Sequence, residues 1–138
     1  MQIAEIMTSK IEWISPDTTL QDAARKMRDL DIGSLTVMEN GELLGMVTDR
    51  DICCRAVANG RDTARMKVRE IMSKDVTTCF SDQDIADAAH LMEGKHIRRL
   101  AVLNRDRKTV GFLSVDDLAC YSHDLAGEVL EAACRTAH

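Results

Sequence analysis

The chain has 138 residues, of which 45% are apolar and 30% charged, and its formal net charge is −5. This length and composition predict one compact, soluble domain with room for two subdomains, and the negative charge argues against a broad nucleic-acid surface. No apolar run approaches the ~18 residues of a membrane span, and residues 1–10 show no secretion signal, so we expect a cytoplasmic protein.

The chain begins with the pattern of a strand followed by an amphipathic helix. Residues 11–14 predict a short strand. Apolar residues recur at helical spacing from Leu20 to Leu30 and predict the first helix. Thr19 and Asp22 are spaced as a capping box at its start, and Gly33 is expected at its end.

A β-hairpin and a second helix are predicted next. Asn40-Gly41 is a strong turn signal, and it lies between two β-rich segments at residues 34–38 and 43–47. Thr48 is placed to cap a helix over roughly residues 49–58. The predicted order is therefore strand, helix, strand, strand, helix.

This order then repeats. Residues 5–38 align without a gap onto residues 70–103, and 11 of the 34 aligned pairs are identical. After one inserted residue, residues 45–51 match residues 111–117. A repeat of roughly 55–60 residues buries little core alone, so we expect the two copies to pack face to face about a pseudo-twofold axis, which would create two equivalent clefts.

The end of the chain predicts one more helix. Leu125, Val129, Leu130 and Ala133 mark an amphipathic segment whose apolar face needs a partner, either the body of the domain or a second subunit. The predicted segments are a first repeat at 1–58, a polar linker at 59–67, a second repeat at 68–122 and a C-terminal helix at 123–138.

Five cysteines are present, an odd number without the spacing of a four-ligand zinc site. We interpret them as small buried hydrophobic residues in a reducing cytoplasm, with a thiol redox switch or metal site as the alternative. They are Cys53, Cys54, Cys79, Cys120 and Cys134.

Three paired features carry a family resemblance. Glu5-Ile6-Met7-Thr8 recurs as Glu70-Ile71-Met72-Ser73, an Asp-Ala-Ala segment occurs in both predicted first helices, and Gly45 and Gly111 each open a Gly-x-x-Ser/Thr-x-x-Asp segment. Over about residues 3–122 the chain resembles a CBS domain pair, or Bateman module. It is similar to small stand-alone bacterial members such as the mycobacterial hypoxic response protein.

The resemblance implies an α+β fold (α/β in some schemes) of two strand-helix-strand-strand-helix repeats, and a regulatory role. Pairs of this family commonly bind adenine nucleotides or other adenosyl ligands in the clefts between repeats. For this chain the resemblance implies AMP, ADP or ATP as the ligand, with NAD or S-adenosylmethionine as alternatives. No cofactor is required. The implied partners are a second copy, in a homodimer of either orientation, and an unidentified downstream protein, without nucleic acid or membrane.

Four residues fit the ribose and phosphate of such a ligand. Thr48 and Ser114 offer hydroxyls where a strand meets a helix, which suits a phosphate. Asp51 and Asp117 lie one helical turn later and can accept hydrogen bonds from both ribose hydroxyls. The alternative is structural, since the same spacing forms a capping box with Asp in place of Glu or Gln.

The base is placed by the resemblance alone. It puts the adenine against the short strand that opens each repeat, near Ile11 and Val76. It adds contacts from Ile32 and Ile97, which precede the next strand. Apolar walls with backbone groups at the ring edge would suit a purine.

Cations for a phosphate are concentrated in the second repeat. His96, Arg98 and Arg99 lie close together there, although the arginines could equally form a solvated face and the histidine a structural hydrogen bond. Gly33 and Ser34 occupy the arginine positions in the first repeat, so we expect the two clefts to differ in phosphate affinity. The residues that could compensate are Arg50 and Arg55.

No catalytic motif is present: there is no nucleophile elbow, P-loop, H-E-x-x-H or assembled Cys/His arrangement. We therefore expect no enzymatic activity, no catalytic residue and no metal site. Two alternatives to a ligand-binding regulator stay open. One is an interaction module without a small ligand, and the other is a cysteine-based redox or metal responder.

Overall fold

The computed structural model describes residues 1–136, apart from the side chains of residues 133, 135 and 136. The fold is mixed α+β, as predicted, with two three-stranded sheets and five helices in the described part of the chain. The chain divides into two compact units. The first-sheet unit comprises Glu12–Val76, and the second-sheet unit comprises Met1–Ile11 and the chain from Thr77 onward.

The first-sheet unit has one parallel and one antiparallel strand pair, in the order β1-β2-β3. The helices cover one face of this sheet with side chains such as Leu20 and Met27, which pack in one core with Val37 and Val47. Its elements are β1 (Trp13–Ile14), α1 (Leu20–Leu30), β2 (Ser34–Glu39), β3 (Glu42–Thr48) and α2 (Asp49–Arg55).

The second-sheet unit repeats this topology in the order β4-β5-β6 and adds a helix. Its elements are β4 (Thr78–Phe80), α3 (Ile85–Lys95), β5 (Arg99–Leu103), β6 (Thr109–Ser114), α4 (Val115–Ala119) and α5 (His123–Thr136). Helix α5 packs on α3 and α4 and buries Ala126 and Val129, so the predicted terminal helix finds its partner in its own unit. The Ala133 side chain and residues 137–138 lie outside the described part.

Two leader segments are exchanged between the repeats. The first leader segment (residues 1–11) precedes the first repeat in sequence but belongs to the second-sheet unit. The second leader segment (residues 66–76) precedes the second repeat but belongs to the first-sheet unit. Each inserts a fully buried aliphatic residue at the same repeat position, Ile3 in one and Val68 in the other.

Backbone hydrogen bonds attach both leader segments in the same way. Thr8 and Phe112 exchange two N–H···O bonds of 2.8 and 2.9 Å, and Ser73 and Met46 exchange two of 2.9 and 3.0 Å. The leader segments therefore extend each hairpin at its β6 or β3 edge.

The hairpin turn is confirmed, because Asn40 and Gly41 both have the positive φ, 54° and 77°, that a tight two-residue turn needs. Strand β1 begins at Trp13, so the prediction of a strand from Ile11 was wrong at its start.

Two predicted helix ends were also wrong. The first helix ends at Asp31, which adopts the left-handed conformation expected of Gly33 and donates its N–H back to α1. Helix α2 ends at Arg55, and a separate 3₁₀ turn covers Val57–Asn59. The predicted linker is not wholly a solvated tether, since Met66 is buried in the first-sheet core.

Candidate functional site

The Asp51 site lies where β3 passes into α2. Asp51 donates its N–H to the Thr48 hydroxyl at 3.1 Å, and its Oδ2 accepts from the Thr48 N–H at 3.0 Å. These two bonds form a complete capping box, so the structural interpretation of this spacing is correct. The Asp51 side chain is 16% exposed, and its Oδ1 is turned toward Arg55.

The Asp117 site repeats this geometry where β6 passes into α4. Asp117 donates its N–H to the Ser114 hydroxyl at 3.1 Å, and its Oδ2 accepts from the Ser114 N–H at 2.9 Å. Each carboxylate thus commits one oxygen to its cap and keeps lone pairs for another donor. Capping and ligand binding are therefore compatible roles for the same four side chains.

Each leader segment reaches the site of its unit. The Thr8 hydroxyl lies 3.4 and 3.5 Å from the two carboxylate oxygens of Asp117. Ser73 is the equivalent residue at the Asp51 site, where its hydroxyl lies 3.3 Å from Arg55 Nη1. Sequence reasoning missed both hydroxyls as site residues, although the recurrence of Glu-Ile-Met-Thr/Ser in both leader segments was a signal.

Two glycines allow this approach of the leader segments. A Cβ on Gly111 would lie 2.7 Å from the carbonyl oxygen of Thr8, and one on Gly45 would lie closer still to that of Ser73. Contacts this short are excluded for carbon and oxygen. The close backbone approach expected at both glycines is therefore made by the leader segments.

Arg55 joins the Asp51 site to the second leader segment. Its Nη1 donates to the Ile71 carbonyl at 2.7 Å, and its Nη2 lies 3.7 Å from Asp51 Oδ1. Tyr121 holds the matching position in the other repeat, but α4 ends at Ala119 and leaves that residue in a turn, 54% exposed. The Asp117 site therefore has no cation at this position.

The arginines of the second repeat lie beside the Asp117 site on its strand side. The Arg98 carbonyl accepts the first N–H of α4, from Val115, at 2.9 Å. Arg99 opens β5 in register with Ser114. The structure thus brings the backbone of both arginines next to the strand end that carries Ser114, and a contact of their side chains with a phosphate stays a prediction.

The same strand-side position in the first-sheet unit carries the opposite charge. The Gly33 carbonyl accepts the N–H of Asp49 at 3.0 Å, matching the bond at Arg98. A Cβ on Gly33 would lie 3.2 Å from Asp49 Oδ2. In the first-sheet unit a carboxylate therefore occupies the place that is equivalent to the start of the Arg98 side chain.

His96 is placed as the end of a helix. It takes the left-handed conformation with φ 55° after α3, and its exposed side chain lines an open hollow of about 570 Å³ with His90, Glu93 and Ala132. Its N–H donates to the Glu93 carbonyl at 3.3 Å. The contact that ends the helix is made by the His96 backbone, and a role of its side chain at a phosphate stays a prediction.

The residues expected to hold the base are divided differently from the repeats. Ile11 belongs to the unit that contains Asp117, and Val76 to the unit that contains Asp51. Ile32 lines a cleft of about 330 Å³ with Met27, Ile52 and the carboxylates of Asp31 and Asp49, and Ile97 packs against the second-sheet core. Their contacts with a base stay a prediction.

The interpretation of the cysteines as buried was wrong for four of the five. Cys79 alone is buried, and burial raises the pKa of its thiol to about 11. The other four are exposed, because Cys53 and Cys54 lie on the outer face of α2 and Cys120 and Cys134 near or on α5. In the part of the chain with described placement, no group of three His, Cys, Asp or Glu side chains is arranged to hold a metal ion.

Among residues 1–136 there is no helix with both the length and the apolar character needed to cross a membrane.

Comparisons with known proteins agree with this architecture. The CBS domain family model matches residues 3–56 and 68–124. The CBS domain-containing protein YhcV of Bacillus subtilis is 36% identical over 130 residues, which make up 93% of this chain and 91% of YhcV.

Two solved structures share the fold. Hypoxic Response Protein I, solved with two coordinated zinc ions, has a TM-score of 0.77 and 28% identity, over 88% of this chain and 99% of that chain. The CBS domain pair of MJ0100, solved with 5′-methylthioadenosine and S-adenosyl-L-methionine, has a TM-score of 0.75 and 22% identity, over 87% and 94%. The predicted resemblance is confirmed.

Proposed function

This chain belongs to the CBS domain family, and we propose that it is a regulatory module that binds an adenine nucleotide or a related adenosyl ligand at the Asp51 and Asp117 sites. The ligand classes are AMP, ADP and ATP, with NAD and S-adenosylmethionine as alternatives. In this proposal the protein has no catalytic activity and requires no cofactor. It is a cytoplasmic homodimer, and a downstream protein binds it according to its ligand state.

One observation carries this proposal: each repeat presents a carboxylate whose second oxygen is not taken by its cap. Asp51 and Asp117 each bind one backbone N–H through Oδ2, and Oδ1 is left outside the cap, 3.7 Å from Arg55 Nη2 in Asp51 and 3.4 Å from the Thr8 hydroxyl in Asp117. A ribose diol supplies two hydroxyl donors, and hydrogen bonds to a charged acceptor contribute about 1.5–3 kcal/mol each. The MJ0100 pair, which shares the fold, is a precedent for adenosyl ligands.

The leader segments supply a route from ligand to partner. A ligand that binds the Asp117 carboxylate competes with or recruits Thr8, which lies against both carboxylate oxygens. Binding therefore has a different free energy with the first leader segment docked and undocked, and this difference is what shifts a conformational equilibrium.

Calorimetric titration with AMP and adenosine tests the proposal. The substitution Asp117→Asn keeps the shape and one side-chain oxygen that can still accept the Ser114 N–H, but it removes the charge that favours two ribose donors. We expect affinity at this site to fall by about tenfold or more. Asp116→Asn, a neighbouring exposed position in the same helix turn, is the matched control and should leave affinity unchanged.

Failure of the wild-type protein to bind any of the five ligand classes would refute the proposal. An unchanged affinity in both Asp117→Asn and Asp51→Asn would instead remove these carboxylates from the site. In either case, melting temperature with and without ligand gives an independent reading, since a ligand at a hundredfold excess over Kd stabilises by about 2.7 kcal/mol.

A second candidate is a protein-interaction module without a small ligand. It is favoured by large apolar side chains that the first-sheet unit leaves exposed, Trp13 at 53% and Val57 at 59%. Absence of any ligand effect, together with a concentration-dependent mass in solution, would support it.

A further inference from the structure

Given the proposed function, on which this step rests, we infer that Arg55 is the specificity-determining residue that lets the Asp51 site select phosphorylated over unphosphorylated adenosyl ligands. The Arg55 guanidinium, which extends from α2, lies beside Asp51 Oδ1, the oxygen that we propose binds ribose. Its Nη2 is 3.7 Å from that oxygen. The other arginine of α2, Arg50, has an exposed side chain and makes no ion pair within residues 1–136.

The second leader segment holds the Arg55 guanidinium in place. Nη1 takes both leader contacts, with the Ile71 carbonyl at 2.7 Å and the Ser73 hydroxyl at 3.3 Å. Because these bonds use one edge of the planar head, the Nη2 side stays directed toward Asp51. A guanidinium that is held through Nη1 and is still half exposed to solvent can donate to a phosphate with little further ordering cost.

The strand side of the same site is unsuited to a phosphate. Asp49 covers Gly33 with its carboxylate, at the spot where the other repeat has Arg98. Asp49 and Asp51 lie within one helical turn, so both carboxylates act on a bound nucleotide well inside the Debye length of about 8–10 Å. A phosphate is thus disfavoured near Asp49 and favoured near Arg55.

The two sites accordingly recognise phosphate from different directions. In the Asp117 site the basic residues Arg98 and Arg99 come from the strand side. In the Asp51 site the basic residue comes from the helix, four residues after the carboxylate. Position 121 cannot serve the same purpose, because it is a tyrosine without a positive charge and because α4 ends before it, at Ala119.

The test isolates the Asp51 site by using the Asp117→Asn protein and compares AMP with adenosine by calorimetry. Arg55→Gln should weaken AMP binding by about tenfold or more and change adenosine binding by less than about twofold. Arg55→Lys should retain part of the AMP affinity, because it keeps the positive charge but loses the two parallel N–H donors of the guanidinium. Arg50→Gln, which removes the same charge from the same helix, is the matched control and should move neither ligand.

Three results would overturn the inference. Equal losses for AMP and adenosine would show that Arg55 only supports the fold of the site. Unchanged AMP affinity in Arg55→Gln would exclude a phosphate contact. Binding of both ligands by the wild-type protein but of neither by Asp117→Asn would show that the Asp51 site is empty, and the proposed function would then stand on the Asp117 site alone.

Discussion

The two sites share a backbone and differ in the side chains that surround it. The capping boxes, the glycine that admits a leader segment and the paired N–H···O bonds recur at equivalent positions with distances that agree within 0.2 Å. The charges do not recur, since the first repeat has Gly33 where the second has Arg98, and Asp49 where the second has Val115. The two repeats thus share the backbone arrangement of the site and differ in the charges around it.

The leader segments differ in the same manner. Arg69 ties the second leader segment to Asp17 through two bonds of 2.9 and 3.1 Å. The equivalent of Asp17 is Asp82, and it pairs instead with Arg105 of its own hairpin. The first leader segment has a different ion pair, between the Met1 amino group and Asp84 at 3.4 Å, beside its backbone bonds, buried aliphatic residues and Thr8.

The largest expected effect is on the reactivity of Cys79, a position at which only the second repeat has a thiol. Cys79 on β4 matches Ile14 on β1, and both are buried. Because the pKa of Cys79 is raised to about 11, its thiolate is scarce at neutral pH, and we expect alkylation at least a hundredfold slower than at Cys53. Timed alkylation with mass spectrometry checks this, and equal rates at both cysteines would contradict the burial of Cys79.

Truncation of the buried leader residues should have the next largest effect. Ile3→Ala and Val68→Ala each leave a cavity in a core, so we expect Ile3→Ala to lower the free energy of unfolding by about 2–5 kcal/mol, and Val68→Ala by somewhat less. Denaturant unfolding measures both. Val57→Ala, at an exposed position, is the control, and a comparable loss there would show that the assay does not report on leader docking.

Addition of one methyl group at the leader contacts should cost less. Gly111→Ala and Gly45→Ala force a Cβ against a leader carbonyl, and we expect a loss of about 1–3 kcal/mol, larger at Gly45. Gly94→Ala and Gly127→Ala lie in helices with open space around them and should stabilise the protein by about 0.5–1 kcal/mol. The same sign at all four positions would argue against close leader docking.

The smallest effect is expected from the ion pair of the second leader segment. The hydrogen bond from Arg69 lowers the pKa of Asp17 below its ordinary 3.8, so this pair stabilises the fold above that pH and is lost as the pH falls through the lowered value. Asp17→Asn should lower the melting temperature slightly at pH 7 and not at pH 2. Salt should weaken the difference, and a salt-independent effect would point to a cause other than charge.

Local signals in the sequence were sufficient for the hairpins and caps. Asn40-Gly41 and the Thr48 and Ser114 capping boxes depend on neighbours within four residues, and the structure has them where they were predicted. The helix end at Gly33 was wrong because Asp31 takes the left-handed conformation, which Asp tolerates better than most residues.

The exchange of the leader segments could not be predicted in this way. The repeat shows that residues 1–11 and 66–76 are equivalent, but it does not show which sheet each one joins, since both sheets offer the same edge. The contact between Thr8 and Asp117 spans 109 residues, and only the fold reveals it. The position of the Arg55 side chain depends on the same exchange, because its partner Ile71 belongs to the second leader segment.

A crystal structure of the protein with AMP would show whether the Asp117 carboxylate binds the ribose. We expect AMP with its ribose hydroxyls within about 3 Å of the Asp117 carboxylate, while the Ser114 N–H still binds Oδ2. AMP bound elsewhere, with both carboxylates engaged only in their caps, would contradict it.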